Sequence, residues 1–373
     1  MHKVAGEDLS KVAVAIETRN GPAVEHLLEL GCRVYPLNPK AAKRYRDRKS
    51  PSGTKTDRLD AWSFGDGLRT DGHGWRMLSA EDPLAQELRL LYRDEVSLIQ
   101  QRTALVQKLE AALHAYYPAA LRAFDTWTSP GAWSFVERYP TPQKLAAAGT
   151  RRWEKFLHTH KLAHPKYYAQ RLEAFAEATA LCGSPGVTRA KSRLALALVG
   201  QLKVVHKQLA EYRKAIKSLF AQHPDHDIFG SLPGAGEKTA SRLSAEIGTL
   251  RERFEDSQSL QTYGGTAPVT KQSGQTRYAL FRRACNKRLR SAVNFLADHS
   301  RATCVWASVY YQQKREQGCS HSSALRCLGH RWLKIIWKMW QTRSLYNEAL
   351  HLRNQTRHGS WVVCLASNQE GTT

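Results

Sequence analysis

Val12-Ala13-Val14-Ala15-Ile16 is a short apolar run bounded by charge, the pattern of a buried strand. Gly21-Pro22 interrupts it, and Val24, Leu27, Leu28 and Leu30 then recur at helical spacing. Cys32 to Leu37 reads as a second strand, stopped by Asn38-Pro39. Strand, helix, strand predicts a parallel crossover and so a small α/β unit over residues 1–82, with a further helical stretch from Asp60. Beyond Leu84 the pattern changes. Leu88, Leu91, Leu98, Leu105, Leu109 and Ala112 fall on heptad core positions, with Glu95 and Arg102 as polar interruptions. Leu198, Leu202, Val205, Leu209, Tyr212, Ile216 and Leu219 alternate spacings of four and three. Residues 83–226 are therefore expected to form a coiled-coil pair of long helices. An aromatic, proline-broken helical insertion over 118–187 lies between them, its Trp127, Trp133 and Trp153 read as core rather than as stacking platforms. Residues 227–353 read as mostly helical, and 354–373 as a polar tail that frays. The expected fold class is α/β plus all-α.

Charge narrows the partner. Of the 373 residues, 56 are Lys or Arg and 33 Asp or Glu, a formal excess of +23. The cations cluster, as in Lys43-Arg44-Tyr45-Arg46 and in Arg282-Arg283 through Arg290. A polyanion is implied. No apolar run is long enough to span a bilayer, so nucleic acid is preferred to a membrane surface. The N-terminus has no apolar leader segment, and the seven cysteines include no CxxC pair, which together suggest a reducing cytoplasm. Cys319, His321, Cys327 and His330 match no zinc spacing well.

Three motifs carry candidate chemistry. Glu17 ends an apolar strand, where ligands of open α/β sheets gather, and Asp57 and Asp60 are three apart at a helix start. Such oxygen ligands suit Mg²⁺. The plainer alternative gives Asp57 to helix capping, Asp60 to an ion pair with Arg58 or Lys55, and Glu17 to a solvated strand edge. Leu232-Pro233-Gly234-Ala235-Gly236-Glu237-Lys238 is the turn of a helix-hairpin-helix, with Gly234, Gly236 and Lys238 placed to hold a phosphate and Arg242 beside them. Ser273 lies next to Gly274 in a polar loop, among Lys271, Arg277, Arg282 and Arg283. A hydroxyl among cations suits nucleophilic attack on a phosphodiester; alone, Ser-Gly is an ordinary turn. The stripe Arg326, Arg331, Lys334 and Lys338 faces either a backbone or water.

These runs, in this order along nearly the whole chain, resemble the DEDD transposases of the insertion-sequence 110 family, the bridge-RNA-guided DNA recombinases. Val14-Ala15-Ile16-Glu17-Thr18 resembles the family's second acidic motif, and Lys55-Thr56-Asp57-Arg58-Leu59-Asp60-Ala61 the motif that supplies its last two aspartates. Leu232–Gly248, Tyr263-Gly264-Gly265-Thr266-Ala267-Pro268 and Gln272-Ser273-Gly274 resemble its C-terminal domain. The resemblance implies a RuvC-like (RNase H-type) domain, a coiled coil and a helical domain bearing the serine nucleophile. It also implies Mg²⁺ at Glu17, Asp57 and Asp60, donor and target DNA, a guide RNA, and a homodimer or tetramer. The family's first Asp has no counterpart here, Asp8 being too close to Glu17. The RuvC-like unit is thus expected to be truncated, lacking its opening strand. Two alternatives remain: a RuvC-like nuclease or junction resolvase in which Ser273 is incidental, and a nucleic-acid-binding relic without cleavage.

Overall fold

Parallel pairing of two four-residue strands organises the N-terminal residues. β1 (Ala13–Ile16) and β2 (Arg33–Pro36) register Val14 on Val34 and Ile16 on Pro36. The connection is α1 (Pro22–Glu29), begun by Pro22 at its first position and entered through Gly21 at φ 117°, which side-chain-bearing residues rarely adopt. Leu9, Cys32 and Val34 form a small core. α2 (Pro39–Lys49) starts at Asn38, whose side chain accepts from the Ala41 amide. α3 (Asp57–Asp71) starts three residues before the expected Asp60, because the Thr56 hydroxyl caps it by accepting from the Leu59 amide. Tyr45 joins the two helices, donating to Asp71 at 2.7 Å and packing edge-on against Trp75.

The computed structural model describes residues 8–50, 52–178 and 181–359, and the chain divides into two units, residues 1–82 and 83–373. In the second, α4 (Pro83–Tyr116) is followed by five short helices: α5 (Pro118–Ala123), α6 (Pro130–Arg138), α7 (Pro142–Ala148), α8 (Thr150–Thr159) and α9 (Pro165–Ala176). α10 (Pro185–Ala221) then returns along α4. The heptad positions meet between the long helices: Leu88, Leu105, Leu109, Leu198, Leu202, Val205, Leu209 and Ile216 are buried. Removing each such side chain from water contributes about 1.5–3 kcal/mol. The insertion packs an aromatic core against the long helices, with Trp127, Trp133 and Trp153 essentially inaccessible, so these rings hold the fold together rather than present faces to bases.

α11 (His226–Gly230), α12 (Gly236–Ile247) and α13 (Ser257–Tyr263) lead into a hairpin of β3 (Val269–Ser273) and β4 (Thr276–Leu280). α14 (Lys287–Thr303), α15 (Val305–Glu316), α16 (His321–Thr342) and α17 (Glu348–Arg357) follow. Trp332, Leu333, Ile336 and Trp340 of α16 are core. The Trp332 indole donates to Ser300 and that of Trp340 to Asp225. Two expectations are corrected here. The serine segment is a β-ribbon on an otherwise helical domain, not a loop. Residues 354–357 are the last turn of α17, which Asn347 caps by accepting from Leu350, so helix extends into the segment expected to fray; residues 360–373 lie outside those described.

Candidate functional site

The hairpin pairs Ser273 with Thr276 across a two-residue turn, Gly274-Gln275, with Gly274 at φ 55°. That turn needs a left-handed residue, and glycine supplies it without strain. Every residue from Thr270 to Leu280 is exposed, so the ribbon stands out from the domain and carries Ser273 at its tip. Alternation sorts its side chains. Ser273, Lys271, Thr276 and Tyr278 share one face, with Lys271 directly opposite Tyr278, while Gln272 and Arg277 share the other. Of the two expected ribbon cations, only Lys271 lies on the serine's face.

The base of the ribbon is fixed by polar contacts. The guanidinium of Arg282, a candidate phosphate contact, donates to the Ala267 carbonyl at 3.0 Å and the Pro268 carbonyl at 3.2 Å, tying the exit of β4 to the entry of β3. Arg283 remains exposed. Asn286 donates to Glu246 at 2.6 Å and to the Tyr263 hydroxyl at 2.8 Å, while its carbonyl oxygen caps α14. Gly265, at φ 69°, lies so close to Cys285 that a Cβ there would sit 2.5 Å from the sulfur.

Around the Pro-Gly turn the two glycines differ. A Cβ on Gly234 would come within 2.8 Å of the His299 backbone, so this glycine allows the turn to press against α14. Gly236 meets nothing and opens α12 to solvent. Lys238 follows it. Partial burial holds its ammonium pKa below the usual lysine value; Glu95 opposes this, and Arg242, Arg213 and Arg102 add to the lowering. By spacing alone Glu95 is a polar interruption in a heptad. In the structure its buried carboxylate accepts from Arg213 of α10 at 3.1 Å and from Arg242 of α12 at 3.2 Å, tying three helices together. The available signal was a lone acid at a core heptad position, which needs a cationic partner when buried.

Glu17 is exposed just beyond β1, Asp57 is exposed in the first turn of α3, and Asp60 is half-buried and ion-paired with Arg46 of α2, not with Arg58 or Lys55. Among the described residues, no group of three or more His, Cys, Asp or Glu is placed to hold a metal ion, so Glu17, Asp57 and Asp60 do not form the expected three-carboxylate cluster. The three belong to the first unit and Ser273 to the second. Among the described residues, no helix is long and apolar enough to cross a membrane.

Residues 3–118 match a family model described as a transposase, of the DEDD IS110 type, and residues 226–312 one described as the transposase IS116/IS110/IS902 family. The second stretch contains the Pro-Gly turn, the ribbon and Asn286. A mini-circle putative transposase for IS117 from Streptomyces coelicolor is 33% identical over 90% of this chain and 83% of its own length. An uncharacterized 43.6 kDa protein of insertion element IS110 from the same species is 29% identical over 86% and 79%, respectively. A putative transposase y4uE from Sinorhizobium fredii is 34% identical over 41% of this chain and 42% of its own. The DEDD type suggests dependence on a divalent metal. The chain belongs to the IS110 family of DEDD transposases, enzymes that cut and rejoin DNA.

Proposed function

We propose that the protein moves an insertion sequence by serine-based recombination of DNA, with Ser273 as the nucleophile. The observation that carries this is the placement of Ser273. An otherwise ordinary hydroxyl sits at the tip of an exposed ribbon, on one face with Lys271, within a domain that the family model matches. The Ser273 Oγ attacks a backbone phosphorus. An O–P bond to serine forms as the bond to one sugar oxygen breaks; the hydroxyl proton passes to solvent at the open tip, and the departing oxygen takes up a proton. Lys271 offsets charge on the phosphoryl oxygens. The phosphoserine ester conserves the phosphodiester's energy, so a second sugar hydroxyl rejoins the strand by the reverse step without ATP.

Gly236, Lys238 and the exposed Arg277 and Arg283 hold phosphates flanking the cut, and Gly234 shapes the turn that presents them. A structured guide RNA selects donor and target DNA, and a homodimer or tetramer brings the two duplexes together in the bacterial cytoplasm, at the nucleoid. Mg²⁺ is the ion the family's acidic motifs suggest. The described carboxylates do not make a ready site for it, because Asp60 is engaged by Arg46.

The test is a denaturing gel that traps protein joined to labelled element-end DNA. Full-length protein gives an adduct, and Ser273→Ala gives none. An adduct undiminished in Ser273→Ala overturns the assignment, and Mg²⁺-dependent cuts with no adduct in either protein would point to a hydrolytic nuclease.

A further inference from the structure

Just past β4 an exposed aromatic ring, Phe281, carries two guanidiniums. The Arg290 carbon lies 4.9 Å and the Arg326 carbon 4.8 Å from its centroid. The two arginines come from different helices, α14 and α16, and both are half-buried. Each is steadied by one further contact: Arg290 donates to the Arg282 carbonyl at 3.2 Å, and Arg326 to the Ser323 hydroxyl at 3.0 Å. Among the described residues neither is ion-paired with a carboxylate, in contrast to Arg46, Arg213, Arg242 and Arg251.

Two guanidiniums gathered on one ring without a carboxylate partner leave positive charge uncompensated, and a phosphate reached by both offsets it. Stacking on the ring limits the rotamers of both guanidiniums before any ligand arrives, which lowers the entropy lost on binding. Arg283, Lys287 and Arg288, all exposed and between Phe281 and Arg290 in the sequence, add positive charge to this stretch of chain.

We propose that Arg290, Phe281 and Arg326 form a clamp for a DNA backbone phosphate a few nucleotides from the one Ser273 attacks. The ribbon sets the distance. From the Ser273–Thr276 pair to the Val269–Leu280 pair is four steps, about 14 Å at roughly 3.4 Å per residue. That equals the rise of about four base pairs along the axis of a duplex. DNA is the ligand because the clamp roots the very ribbon whose tip faces the scissile strand, so the inference rests on the serine reading above.

The experiment is fluorescence-anisotropy binding of the full chain to a labelled element-end duplex across a range of salt, and to an RNA duplex of the same sequence. For DNA, Arg290→Ala and Arg326→Ala should each weaken binding about tenfold and lower the slope of log affinity against log salt by about one. Phe281→Ala retains both charges and removes an exposed side chain, so it should fold normally, keep the slope and weaken binding about three- to tenfold. An unchanged affinity and slope in both arginine variants overturns the clamp, as does a loss confined to RNA. Ser273→Ala should bind with the parent slope. Salt slope therefore reads the clamp and adduct formation reads the serine assignment, so failure of the one is distinguishable from failure of the other.

Discussion

At the scale of single residues, chemistry and stability separate. Ser273 makes no packing contact that its removal would cost, since it is exposed at a turn. We expect Ser273→Ala to abolish the covalent adduct while leaving the thermal midpoint within about 2 °C of the parent, as surface substitutions outside special sites do. Arg46→Ala should cost about 0.5–1 kcal/mol in urea unfolding, because its partly sheltered pair with Asp60 joins α2 to α3. Burial, reinforced by Arg331, pushes His351 down to about 4. The unfolded chain then takes up a proton near pH 6.5 that the folded chain refuses until about pH 4, so stability falls as pH drops through that window and is indifferent to His351 above it. His351→Phe should flatten this acid branch when the midpoint is measured at pH 7 and at pH 4.5.

At the scale of elements, what could be read from the sequence depended on how local the determinant was. The crossover β1–α1–β2 and the helices α4 and α10 were legible, because a run such as Val12–Ile16 or the spacing from Leu198 to Leu219 states its own periodicity. The ribbon was also written locally, as two five-residue runs around Gly274-Gln275, but its polar Lys271, Gln272 and Arg277 obscured the strand signal. Asp60's partner was not legible. Arg46 and Asp60 are fourteen residues apart on different helices, and Arg58 and Lys55 were nearer in sequence. The carbonyl partners of Arg282 were hidden for a related reason, since Ala267 and Pro268 precede the ribbon and Arg282 follows it. Glu95 offers the sharpest test at this scale. Glu95→Gln leaves Arg213 and Arg242 without their counter-charge in a sheltered place. Because Arg213 is about half exposed and water moderates the cost, we expect a loss of about 1–3 kcal/mol in urea unfolding.

Across the whole molecule, an excess of +23 is far more than folding requires, and it makes association with DNA long-ranged and salt-sensitive. Binding by the full chain should weaken by about 10³-fold or more between 50 mM and 200 mM salt if six or more phosphates are neutralised. A response nearly flat in salt would mean that the cations are mere surface charge. The same excess explains why cation count alone could not locate the site. Positive charge lies on α2, α12, α14, α16 and the ribbon alike, and only pairing distinguishes them: some guanidiniums are spent on carboxylates or carbonyls, and others stay available.

The free-standing ribbon makes the reach and aim of the serine two separately adjustable quantities. Removing one residue from each strand would turn the hydroxyl to the opposite side, away from where Lys271 now points, although the tip retreats by only about 3 Å. Removing two from each would restore its heading but draw it back about 7 Å. Deletion series of this kind should lose joined product at odd steps through misdirection and at even steps through shortfall, and lengthening the partner DNA's approach by a bend can rescue only the second.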